Sequence, residues 1–261
     1  MPLKLDNISR RIEAMISPEV ARQRREGWEQ ARQIFHDADT NAIHSRINDP
    51  TTRLAWPAAL PLGTLNGAFH APIAPANFSV VAADGSSMGP DRHFPIRYFV
   101  LNTGSATLTY GQQPQACLAS HSELYYEDKD LYVPPEDRLQ PVEGALLAAR
   151  MAVEEMLHLF EAARSASQRT VAFTDGVIIL WGLEHVDPVV RSVLLRPFLN
   201  ALDAFREADI PVANYISLPG AHEVVDALRL WVCDRRPIDC GACLQKPSSE
   251  RACAFLQGIP D

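Results

Sequence analysis

Apolar residues in the first stretch of the chain, residues 3–47, recur at helical spacing, with Ile8, Ile12, Met15 and Ile16 set in a run rich in Arg, Gln and Glu. The pattern predicts two helices, broken where Ser17 precedes Pro18 and Glu19, an N-cap followed by proline at the first helical position. Pro57, Pro61, Pro72 and Pro75 then punctuate a stretch that cannot continue a helix, so residues 54–77 read as a linker or arm. The buried pattern begins at Phe78. Residues 78–83 read as a strand closed by an Asp84-Gly85 turn, and FPIRYFVLNTG with ATLTYG reads as a hairpin turning at Gly104-Ser105. ELYYEDKDLYVPPED reads as a loop, and residues 142–164, rich in Ala, Leu, Met and Glu, predict a long helix. TVAFTDGVIILWG predicts a strand, an Asp175-Gly176 turn and a second strand. Residues 188–208 follow as a helix, 210–217 as a strand and 221–231 as a last helix. Strands alternating with helices in this way predict an α/β or mixed α+β sheet.

Composition narrows the function classes. Of 261 residues, 47% are hydrophobic and 21% charged, and the net charge is −8, which excludes a polybasic binder and wholesale disorder. Residues 1–53 carry 9 basic and 8 acidic groups against 15 and 24 in the remainder, so basic character is concentrated at the N-terminus. There ARQRREGWEQAR alternates in sign, the mark of a solvated or dimer-forming helical face more than of a phosphate-binding one. The longest apolar runs, such as residues 177–181, fall far short of the roughly 18 residues that cross a bilayer. With no apolar leader at the N-terminus, a soluble chain with a cytoplasmic location is expected.

Candidate chemistry centres on two apolar strands, FSVVAAD and TVAFTD, that both run into Asp-Gly and bring Asp84 and Asp175 to their ends. Two carboxylates on neighbouring strand ends suit a hard cation such as Mg²⁺ or Mn²⁺, which takes oxygen ligands and leaves positions open for water and phosphate. The glycine after each aspartate permits a sharp turn and close approach of substrate. The plain alternative is that each Asp-Gly is only turn chemistry, as is Ser86 after Gly85.

VVAADGSS, ARMAVEEMLHLF, TVAFTDGVIILWG and NYISLPGAHEVVDALR together resemble the NurA nuclease family over residues 78–231. The resemblance implies an RNase H-like mixed sheet flanked by helices, here with an N-terminal helical extension. With the patterning outside it, the chain divides into an N-terminal helical segment (1–53), the proline-containing arm (54–77), the RNase H-like core that the resemblance implies (78–232) and a Cys-rich C-terminal segment (233–261). The resemblance also implies a Mn²⁺- or Mg²⁺-dependent nuclease, a single-strand endonuclease and 5′ to 3′ exonuclease of DNA. Such a protein forms a homodimer and works with a HerA-type hexameric translocase in double-strand-break end resection. Position by position, the family's two aspartates match Asp84 and Asp175, and its helical glutamate matches Glu154 or Glu155. Both glutamates lie off the apolar arc of Leu146, Ala149, Val153, Met156 and Phe160, so periodicity leaves the choice open; the family's habit of an apolar residue after the glutamate favours Glu155. On chemical grounds, Gly85 and Ser86 are expected at the substrate, with Ser86 donating to a phosphate oxygen through its hydroxyl or backbone N–H. A tyrosine and a histidine that members carry further along match no residue here, and His222 reads as an ordinary helix-start residue. That departure sets a second expectation beside the nuclease: a catalytically incomplete scaffold subunit of a translocase complex.

Four of the five cysteines crowd into CDRRPIDCGACLQKPSSERAC. Cys233, Cys240, Cys243 and Cys253 stand in a C-x6-C-x2-C-x9-C pattern whose thiolates suit Zn²⁺ or an iron–sulfur cluster, against the simpler reading of reduced, partly buried thiols.

Overall fold

The computed structural model describes residues 9, 11–12, 18–91, 93–133, 139–217 and 220–256. The chain divides into two compact units, residues 72–217 and residues 1–71 with 218–261. The helix foreseen before Ser17 lies largely outside the described residues.

Residues 72–217 build a five-stranded sheet from β1 (Phe78–Met88), β2 (Phe99–Tyr110), β3 (Gln115–Tyr125), β6 (Thr170–Asp175) and β7 (Val212–Tyr215), in the order β3-β2-β1-β6-β7. A two-residue pair, β4 (Tyr132–Val133) and β5 (Gln140–Pro141), forms its own small ladder. β1, β2 and β3 are antiparallel neighbours, whereas β6 runs parallel to β1 and β7 parallel to β6. Each parallel step needs a crossover, and helices supply both. After the short α3 (Asp128–Leu131), α4 (Ala145–Arg164) leads into β6, and α5 (Pro188–Glu207) leads into β7. This is a mixed sheet flanked by helices, as the sequence predicts.

The core lies between the sheet and α4 and α5. Val81 and Ala83 of β1 and Ala172 of β6 pack with Val153, Met156 and Leu159 of α4 and with Phe198, Ala201 and Phe205 of α5. Asp187 caps α5 by accepting from Val189 N at 2.8 Å, ahead of the proline at its first position.

Several local expectations are corrected. Asp84-Gly85 is not a turn: β1 continues to Met88, and Asp84 and Gly85 face Gly104 and Thr103 of β2. Nor does the chain turn at Gly104-Ser105, which lie within β2; the hairpin closes at residues 111–114, and QACLASHSELY forms β3. Every residue of β3 except Tyr125 is exposed, so this edge strand offers no alternation to read. Residues 177–181 form no strand, because the chain leaves the sheet at Gly176, whose φ of +78° suits glycine, and closes into a 3₁₀ turn at Trp181–Leu183.

The second unit holds α1 (Pro18–Asp37), α2 (Thr40–Ile47), α6 (Glu223–Val232) and α7 (Cys240–Leu244). Ala31, Val225, Leu228 and Leu256 form its small core. Helix α6, assigned with the sheet on sequence grounds, thus packs with the N-terminal helices. The Arg46 guanidinium donates to the carbonyls of Leu230 and Trp231 at its C-terminal end. No described helix is long and apolar enough to cross a membrane.

Candidate active site

Strand β1 pairs with β6 from Ser79–Thr170 to Ala83–Thr174. One residue further along each strand stand Asp84 and Asp175. In-register neighbours on parallel strands send their side chains to the same face. Both aspartates are exposed and both line an open groove of about 680 Å³, together with Ser86, Asn102, Ser105, Thr174 and Tyr215. Each carboxylate accepts from the backbone N–H of its own following glycine, Asp84 from Gly85 at 2.8 Å and Asp175 from Gly176 at 3.0 Å. Gly176 is held further by its N–H to Tyr215 O at 3.0 Å and by Asn214 Nδ2 on its carbonyl at 2.9 Å.

Helix α4 approaches from the opposite side of β1. A Cβ built on Gly85 would lie 2.6 Å from Glu155 Oε1 and would clash with Met151. Only glycine lets the helix carboxylate sit this close to the strand. Burial, together with the charges of Asp84 and then Asp175, pushes the Glu155 carboxyl up to about 7, against hydrogen bonding from the Gly85 backbone that favours its charged form. Glu154 points elsewhere: it pairs with Arg150 at 3.4 Å, and Arg150 in turn lies 5.1 Å over the ring of Tyr125. Burial and then Glu154 raise the Tyr125 hydroxyl to about 12. The structure therefore brings Asp84, Asp175 and Glu155 into one electrostatic neighbourhood and gives Glu154 a different set of partners.

The donor chemistry fits a hard divalent cation, since every candidate ligand is a carboxylate oxygen. The three carboxylates are not drawn into a closed ligand set. Among the described residues, no group of three or more His, Cys, Asp or Glu side chains is arranged to hold a metal ion. No lysine or arginine lines the groove either, so two carboxylates dominate its charge.

Two groove residues escaped the sequence reading. Tyr215 ends β7 as the backbone partner of Asp175 and is 66% exposed, and Asn102 lies on β2 opposite Ser86. An aromatic near the end of a predicted strand was the available signal for Tyr215. His222 is the N-cap residue of α6 in the other unit. The four C-terminal cysteines line one cavity in that unit.

No curated protein matches the chain. Among solved structures, LC9-RNase H1, a type 1 RNase H with the type 2 active-site motif, is 15% identical over 61% of this chain and 72% of its own, with a TM-score of 0.31. Prototype foamy virus protease-reverse transcriptase is 14% identical over 55% of this chain and 18% of its own, with a TM-score of 0.30. The NurA domain matches residues 78–240, which takes in the whole sheet, α4, α5 and all three site carboxylates. Family and sheet topology together support a nuclease-type role. The chain belongs to the NurA family.

Proposed function

We propose that the protein is a divalent-metal-dependent DNA nuclease, a single-strand endonuclease and 5′ to 3′ exonuclease that acts with a HerA-type hexameric translocase in end resection. The observation that carries this reading is the side-by-side placement of Asp84 and Asp175 at the end of the parallel ladder, open to a groove and backed by Glu155. Asp84 and Asp175 would hold Mn²⁺ or Mg²⁺, with Glu155 as a further ligand or water-orienting group. When bound, the cation supplies Lewis-acid neutralisation of charge on the phosphate and activation of water.

The chain's own residues do the rest. Hydrogen bonds from Gly85 and Gly176 fix one oxygen of each aspartate and leave the other free, so the carboxylates are oriented before substrate arrives. Ser86 and Asn102 offer neutral donors along the groove, suited to phosphate and sugar contacts that position a strand without reading its sequence. Tyr215 offers a ring face on which an unpaired base can stack. With no basic lining residue, the metal-free groove repels phosphate, which ties DNA binding to cation binding.

The open arrangement of the carboxylates favours one second reading, a catalytically incomplete NurA subunit that scaffolds a translocase. Closed circular single-stranded DNA and linear DNA labelled at either end, digested with and without a HerA-type ATPase, separate the two. Nicking of the circle and 5′-first loss of label support the nuclease. A well-folded chain that stimulates the ATPase but cuts neither substrate supports the scaffold.

A further inference from the structure

The largest unexplained chemistry lies in the other unit. Cys233 ends α6, Cys240 and Cys243 stand three residues apart on α7, and Cys253 follows a 3₁₀ turn, yet all four line a single cavity of about 260 Å³. All are free thiols. Burial, with Cys233, Cys253 and Cys243 adding to it, pushes the Cys240 thiol up to about 11.

The loops that carry them are tied down. Arg53 forms a parallel bridge with Asp239, accepting from Cys240 N at 2.9 Å and donating to Ile238 O at 2.8 Å. Asp239 caps α7 through Ala242 N at 2.9 Å. The segment that carries Cys240 and Cys243 is thus anchored.

Two further observations point to an anionic, sulfur-rich occupant. Among the described residues, three buried side-chain polar atoms lack a hydrogen-bond partner, and two of them, Trp56 Nε1 and Arg251 Nε, are N–H donors on residues lining this cavity. A buried donor without an acceptor is costly, and N–H groups directed at cluster sulfurs are a recognised way to satisfy such donors and tune the centre. Arg229, Arg235 and Arg251 also line the cavity, which places positive charge around the four thiols.

The arrangement of the thiols chooses between one ion and several. Zinc draws four sulfurs to about 2.3 Å from a single centre. Among the described residues, no three of these thiols are arranged around one ion. In a cubane cluster each thiolate bonds its own iron, so the four need not converge on a point.

We propose that Cys233, Cys240, Cys243 and Cys253 hold a [4Fe–4S] cluster in the cavity beneath Trp56 and Arg251, which cross-links the C-terminal segment. The cluster would replace thiol protons on binding and add to a unit whose apolar core is small.

The test uses the full chain purified without oxygen, with any metal-free fraction then incubated anaerobically with equal amounts of ferrous and ferric iron and with sulfide. About four iron and four acid-labile sulfide per chain, with visible charge-transfer absorption, are expected. Cys117→Ser, on β3, should keep the full iron content, and Cys243→Ser should lose most of it. The wild-type stoichiometry decides even where a cysteine variant fails to fold. About one zinc per chain without sulfide, or a chain that stays colourless through reconstitution, overturns the proposal. None of these readouts depends on DNA cleavage.

Discussion

Gly85 of β1 lies directly against Glu155 of α4, close enough that a methyl group on Gly85 would come within 2.6 Å of the Glu155 carboxylate. The contact sets the helix carboxylate beside Asp84 and Asp175 instead of leaving it in solvent. Gly85→Ala should therefore displace Glu155 and Met151, costing about 1–3 kcal/mol of stability through overpacking. Denaturant unfolding with a parallel cleavage assay checks both effects. Unchanged stability and rate would show that the contact is slack.

The two adjacent glutamates should separate cleanly on mutation. Glu155→Gln is expected to lower metal affinity or cleavage by about 10–100-fold, the usual range for a group that supports a metal site. Glu154→Gln removes a partly exposed pair with Arg150 and should cost about 1 kcal/mol of stability or less while leaving the rate near wild type. Single-turnover kinetics on both variants measures this. A larger loss of rate for Glu154→Gln would reverse the assignment.

The raised Glu155 carboxyl makes metal-free stability depend on pH. Its pKa stands near 7 in the fold against an ordinary 4.5, so the native state retains a proton that the unfolded chain releases. Its contribution is full below about pH 4.5 and is lost as pH rises through about 7. In EDTA, wild-type Tm should fall across that window more than the Tm of Glu155→Gln. Added Mn²⁺ should raise Tm more at the upper end, where proton and cation no longer compete. Identical pH profiles for the two proteins would contradict the coupling.

Groove charge predicts how DNA binds. Fluorescence anisotropy with a single-stranded oligonucleotide should show weak binding in EDTA and tighter binding with Mn²⁺. Paired Asp84→Asn and Asp175→Asn changes should strengthen metal-free binding and abolish the response to metal. Equal affinity with and without cation would mean that DNA docks away from this groove.

What could be read from the sequence follows from where burial was two-sided or periodic. The start of β1, β6 with Asp175, and α4 stood out because their apolar positions repeat. β3 did not, since it lies at the sheet edge with almost no buried residue. Asp84-Gly85 was misread as a strand end: glycine there admits Glu155 from the helix side and turns nothing. Gly176 does mark the end of its strand, but the apolar residues after it dip into the core without a strand partner, which alternation cannot distinguish from a strand. The choice between Glu154 and Glu155 needed the helix's rotation relative to β1, a tertiary quantity. The cysteine spacing was visible, whereas the cavity and its unpaired N–H donors were not.

The central claim is that Asp84 and Asp175 together make a cation-dependent phosphodiesterase site. End-labelled single-stranded DNA should be incubated with wild type, Asp84→Asn and Asp175→Asn in Mn²⁺, Mg²⁺ or EDTA, with folding of each protein verified by circular dichroism. The account predicts cleavage by wild type that requires the cation and is abolished by either substitution without loss of fold. Cleavage that persists in either variant, or that proceeds in EDTA, would contradict it.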